Sequence, residues 1–90
     1  MTAKTDLDGA IDAYRKAVAI DSEDAKAWYN LGIALKANGD LDGPIDAYRK
    51  AVAIDSEDAK AWNNLGIALK AKCYLDGAID DYRKAVAIES

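Results

Sequence analysis

The sequence predicts an all-α chain in which five helices pack as antiparallel pairs of a helix-pair solenoid. Three observations carry this prediction. A 34-residue stretch recurs: Leu7–Asp40 and Leu41–Tyr74 agree at 29 of 34 positions, and Leu75–Ser90 agrees with Leu41–Ser56 at 13 of 16. A period of that length belongs to stacked supersecondary units, not to an ordinary globular core. Within each period the apolar residues return at spacings of three and four, which puts them on one face of a helix. Nothing alternates with period two over a useful length, so strands are not expected.

The spacing predicts helices near 6–20, 24–37, 41–54, 58–71 and 75–88. They are of two types. In the type at 24–37 and 58–71, Trp28, Leu31, Gly32 and Leu35 form the apolar stripe. In the type at 41–54, repeated at 6–20 and 75–88, the stripe is Leu41, Ile45, Tyr48 and Val52, with Ala51 beside it. Alanine is the commonest residue and the best helix former, so propensity agrees with pattern. Asp12 and Lys16, Asp46 and Lys50, and Asp80 and Lys84 form acid-before-base pairs one turn apart on the solvent side. The breaks recur as well. Asn38-Gly39-Asp40 supplies a residue suited to positive φ, and Asp21-Ser22-Glu23-Asp24 with its copy Asp55-Ser56-Glu57-Asp58 ends one helix and caps the next. Helices of this length span roughly 21 Å, and the short turns force them antiparallel. The whole of 1–90 reads as one domain: a half repeat at 7–24, a full repeat at 25–58 and a nearly full one at 59–90.

Composition excludes several classes of function. The formal charge is −4, so the clustered positive charge that nucleic acid or an anionic membrane surface requires is not expected. No apolar run approaches the ~18–20 residues of a membrane span, and the opening Met1-Thr2-Ala3-Lys4-Thr5-Asp6 does not read as a signal peptide. A single cysteine, Cys73, forms no internal disulfide and fits a reducing, cytoplasmic compartment. The chain has no histidine, so histidine-based triads and histidine metal sites are excluded, and Cys73 has no imidazole to activate it. The run Asn38-x-Asp40-x-Asp42-Gly43 resembles the start of a calcium loop, but the position of its bidentate glutamate holds the cation Arg49. Neither catalysis nor a cofactor is expected.

Trp28-x-x-Leu31-Gly32, Leu35, then Pro44-x-x-x-Tyr48 and Ala51 resembles the tetratricopeptide repeat, and the set returns as Trp62, Leu65, Gly66, Leu69, Ala78, Tyr82 and Ala85. Ala10, Tyr14 and Ala17 match the second half of a unit. The resemblance implies a right-handed superhelix. It further implies that Gly32 and Gly66 admit close helix approach with small Ala10 and Ala78 opposite such glycines, while Trp and Tyr rings fill the space between units. The chain departs from the family at Ser22, Ser56 and Ser90, where proline is usual, and at Leu35 and Leu69, where tyrosine is. Gly9, Gly43 and Gly77 weaken their helices, whereas Pro44 is tolerated in a first turn. Lys72-Cys73-Tyr74 replaces Asn38-Gly39-Asp40 and marks that turn as the weakest hinge, at which helices four and five could merge into one rod.

The resemblance implies a protein–protein interaction module, its concave groove lined by the first helix of each unit and occupied by an extended peptide or partner segment. The lining would be Lys26, Tyr29, Asn30, Ile33, Lys36 and Ala37, followed by Lys60, Asn63, Asn64, Ile67, Lys70 and Ala71. This face carries four lysines and no acid, which suits a peptide with acidic side chains or a free carboxylate. Asn30 and Asn64 stand one period apart, and an amide can donate to a peptide carbonyl while accepting from a peptide N–H. Such a pair resembles the asparagine ladder of repeat domains attached to protein-glycosylating enzymes. It also resembles part of the carboxylate clamp of chaperone-binding repeats, with Lys60 as partner, although Tyr29 and Ile33 stand where that clamp has lysine and asparagine.

The sequence begins and finishes with a helix of the second type, and its terminal copies nearly match the interior one; Ala13 becoming Asp81 is the clear polar change. Terminal repeats normally carry a polar outer face. The chain is therefore expected either to be a piece of a longer array, one accessory to an enzyme among them, or to cover its ends as a homo-oligomeric scaffold by exchanging helical units.

Overall fold

Capping aspartates and left-handed turn residues divide the alanine-rich chain into five helices: α1 (Ala3–Ile20), α2 (Ala25–Ala37), α3 (Asp42–Ile54), α4 (Ala59–Ala71) and α5 (Leu75–Glu89). The computed structural model describes residues 3–89, and side chains from Asp6 onward. No strand occurs among the described residues. At the α1–α2 turn Asp24 occupies the N-cap and its Oδ1 accepts from Ala27 N at 3.2 Å; Asp58 accepts from Ala61 N at 3.2 Å one unit on. Each such cap stabilises its helix by about 1 kcal/mol. Indole N–H groups hold the same turns. Trp28 Nε1 donates to the Ser22 carbonyl and Trp62 Nε1 to the Ser56 carbonyl, both at 2.9 Å. The tryptophans thus pin the turns in which serine replaces proline. Lys50 lies 5.3 Å from the centre of the Trp28 ring and Lys84 lies 4.8 Å from that of Trp62.

The hairpin turns close differently from the expectation at their weakest point. Gly39 has φ 89°, with its N–H on the Lys36 carbonyl at 2.9 Å. Cys73 adopts the same left-handed conformation at φ 66°, its N–H reaching the Lys70 carbonyl at 2.8 Å while Tyr74 N–H reaches Leu69 at 2.8 Å. The α4–α5 hairpin is therefore closed, at a conformational cost of roughly 1–2 kcal/mol for the non-glycine residue. Lys72 Nζ also pairs with Asp42 Oδ1 at 3.0 Å, which ties this turn to the start of α3.

Helices pack in chain order, each on the one before and the one after. Ile11, Val18, Leu31, Leu35 and Ala47 join α1, α2 and α3 in one core; Ile45, Tyr48, Val52, Leu65, Leu69 and Ala78 join α3, α4 and α5 in the other, and Trp28 touches both. The residue opposite each close-packing glycine is a tyrosine, not the alanine expected. A Cβ on Gly32 would lie 2.5 Å from Tyr48 Cε1, and one on Gly66 would lie 2.8 Å from Tyr82 Cε1. The ring needs flat backbone beneath it, so the glycine serves the ring.

Asp81 does not face outward either. Its position is exposed in α1 as Ala13 but nearly inaccessible in α3 as Ala47, and Asp81 itself is only 8% exposed. This face looks back toward the preceding unit. The forward face of α5 stays apolar: Ile79 is 48% exposed and Val86 64%, whereas the equivalent Ile45 and Val52 are 5% and 6% exposed.

Two outcomes are expected. Gly9 has nothing within 4 Å of a built Cβ, whereas one on Gly43 meets Leu35 Cδ1 at 3.0 Å. Gly9→Ala should raise stability in urea melts by up to about 1 kcal/mol, and Gly43→Ala should fall short of that. Burial pushes the Asp81 carboxyl up, Lys84 and Arg49 oppose this, and Asp80 adds to it. The folded state then holds the Asp81 proton more tightly than the unfolded one, so its carboxylate opposes folding at neutral pH. Asp81→Ala should raise the melting temperature at pH 7, and this gain should shrink as pH falls through the raised value toward the ordinary 3.8.

Candidate functional site: the concave face of α2 and α4

The apolar stripes of α2 and α4 turn toward α1, α3 and α5, burying Ala27, Leu31, Leu35, Ala61, Leu65 and Leu69. The remaining faces of these two helices lie side by side. Their alignment is fixed by a hydrogen bond from Asn64 Nδ2 to the Tyr29 hydroxyl at 3.0 Å. Tyr29 in turn stacks at a tilt on Tyr48, ring centres 5.9 Å apart. Burial first, and the neighbouring Tyr29 second, push the Tyr48 hydroxyl up to about 12, so it stays protonated at neutral pH.

The residues expected along the groove divide among three cavities. Lys26, Tyr29, Asn30 and Lys60 line one of about 310 Å³, together with Ala25, Asp55 and Asp58. Lys36 and Ile67 line another of about 240 Å³ at the opposite helix ends, with Ala71, Leu41 and Pro44. Asn63 and Lys60 line a third of about 330 Å³ with Tyr82 and Glu89, one unit further on. Ile33, Ala37 and Lys70 are exposed and Asn64 is half-buried, and these four line none of the three cavities.

Two features were missed from the sequence. The face is not free of acid, because Asp55 and Asp58 reach the rim from the α3–α4 turn. Their position follows from the N-cap: Asp58 lies at the start of α4, two residues before Lys60. The bond between Tyr29 and Asn64 spans one period plus one residue, so reading each asparagine only against its own copy conceals it. Asn64 therefore spends one of its two amide N–H groups on Tyr29. The arrangement offers amide groups, two ammonium groups and an aromatic hydroxyl around an open cleft, which are means of binding. Among the described residues no group of three or more metal-ligating side chains comes together, and no described helix is long and apolar enough to cross a membrane.

No curated protein sequence matches the chain. Among solved structures, the crystal structure of MamA is 32% identical with a TM-score of 0.89, over 93% of this chain and 49% of that one. MamA 41-end from Desulfovibrio magneticus RS-1 is 30% identical with a TM-score of 0.88, over 93% of this chain and 48% of that one. The chain thus spans about half the length of these structures. The second TPR of Spaghetti (RPAP3), solved bound to the HSP90 peptide SRMEEVD, shares the fold at 21% identity, with a TM-score of 0.87 over 91% of this chain and 76% of that one. The family model described as TPR repeat matches residues 2–39 and 34–72, and that described as tetratricopeptide repeat matches 59–90. The chain belongs to the tetratricopeptide repeat family.

Proposed function

We propose that this chain is a protein-binding module that holds an extended peptide segment across α2 and α4. The observation that carries the reading is the cleft in which Lys26, Tyr29, Asn30 and Lys60 converge, with Asn64 fixed beside it by Tyr29. Asn30 and Asn64 suit peptide backbone, which makes the grip tolerant of sequence. Lys26 and Lys60 suit a carboxylate, from an acidic side chain or a chain terminus, and Asp55 and Asp58 on the rim confine that carboxylate to the space between the two ammonium groups. The peptide-bound structure of the Spaghetti repeats supports peptide capture as a use of this fold. A second reading, self-assembly as a scaffold, is favoured by the exposed apolar forward face of α5.

Anisotropy titrations with labelled SRMEEVD and its carboxylate-free analogue, SRMQQVN with an amidated C-terminus, test the groove. The joint change Asn30→Ala and Asn64→Ala should weaken binding of both peptides by about tenfold, two neutral hydrogen bonds being worth roughly 1–3 kcal/mol together. Lys26→Ala should weaken the acidic peptide alone. Binding that ignores all three changes would refute the assignment.

A further inference from the structure

The internal contacts of the chain identify what fits the forward face of α5. That face carries Ile79, Tyr82 and Val86, the copies of Ile45, Tyr48 and Val52 on α3 and of Ile11, Tyr14 and Val18 on α1. On α3 it receives Ala61, Leu65 and Ala68 of α4. On α1 it receives Ala27, Leu31 and Ala34 of α2. The same apolar surface thus meets nearly the same helix sequence twice within one molecule, α2 and α4 differing only at Tyr29 and Asn63. A third instance needs another helix of that sequence, and a second copy of this chain supplies two, α2 and α4. The α4 helix is covered by α3, which is itself held between α2 and α4. The α2 helix is covered by α1, whose main contact is with α2: Ala13 is exposed and Gly9 faces open space.

We propose that α5 of one copy displaces α1 from α2 of a second copy, so that copies join head to tail into one continuous superhelix. The proposal rests on the self-assembly reading and specifies its geometry. Helices α1 and α5 match across 7–20 and 75–88 at every position but Ala13 against Asp81. That position lies on the backward face, away from the exchanged contact. Exchange therefore buries Ile79 and exposes Ile11, and the apolar burial nearly cancels. What opposes exchange is association entropy and the α1–α2 turn, where Asp24 N–H bonds to the Asp21 carbonyl at 3.2 Å and Trp28 Nε1 to Ser22 at 2.9 Å. What favours it is the conformational freedom that α1 regains on release. The incoming α5 arrives braced, its Tyr82 ring seated on Gly66 of α4. Since α5 and α2 present different surfaces, the contact is heterologous; because it repeats the step between units inside the chain, it continues the superhelix, and each added copy offers a fresh α5.

Sedimentation velocity of the full 90-residue chain across a dilution series tests this against three variants. The unaltered chain should show a mass that keeps growing with concentration. Ile79→Glu, a change on an exposed face, should reduce association at least tenfold. Gly9→Ala, which strengthens α1 in place, should reduce it about fivefold. Val18→Ala, which loosens α1, should increase it, and adding Ile79→Glu to that variant should return it to monomer. Should Val18→Ala unfold the chain, Gly9→Ala still tests the same step with a stabilised fold. A monomer at every concentration overturns both the exchange and the self-assembly reading. Association that stops at a dimer, or that responds to Ile79→Glu but not to Gly9→Ala, overturns the exchange and leaves self-assembly standing.

Discussion

The structure depends on a tyrosine ring lying against glycine backbone. Tyr48 is 1% exposed, and its ring occupies the space that any side chain at Gly32 would need. This contact sets how closely α2 and α3 approach. From it follow the burial of Leu35 and Ala51 in the same hairpin, the stacking of Tyr29 on Tyr48, and through Tyr29 the bond that orients Asn64. The polar face of α2 and α4 and the core are therefore joined through one ring. The second hairpin repeats the contact with Tyr82 on Gly66, but there the ring is only partly covered because no helix follows α5 in the described chain.

The stack is consequently unequal along its length. A helix of the second type has two apolar faces, one for the helix before it and one for the helix after. Only α3 has both occupied. The α1 helix keeps its forward contact and α5 its backward one. In a solenoid of nearest-neighbour contacts this difference becomes a difference in local stability, highest in the middle and falling toward the ends, most at α1, which packs less extensively on α2 than α5 does on α4. It also gives the chain two distinct surfaces, a polar cleft at α2 and α4 and an apolar flank on α5. The chain spans about half the length of the MamA structures.

Most of the fold was legible in the sequence, because repetition multiplies weak signals. Helix type, helix order and turn positions each appear two or three times, and the helix limits expected at 24–37 and 58–71 lie within a residue of α2 and α4. What escaped notice lies where copies differ or where a side chain crosses between units. Cys73 shows that a poor left-handed residue can still close a turn when Lys70 and Leu69 carbonyls and the packed hairpin demand it. Asp81 looked like a solvating change because the sequence does not say which way its face points; Ala47 in the same slot is buried. The groove lysines read as a face free of acid because Asp55 and Asp58 belong to a turn, and only folding brings that turn to the cleft.

The central claim is that stability is organised outward from α3 and fails first at α1. Residue-resolved amide hydrogen exchange on the 90-residue chain, at a concentration low enough to keep it monomeric, measures this directly. The account predicts the slowest exchange in α3 and α4, intermediate rates in α2 and α5, and the fastest in α1. Uniform protection across all five helices, or α1 amides as protected as those around Tyr48, would contradict it.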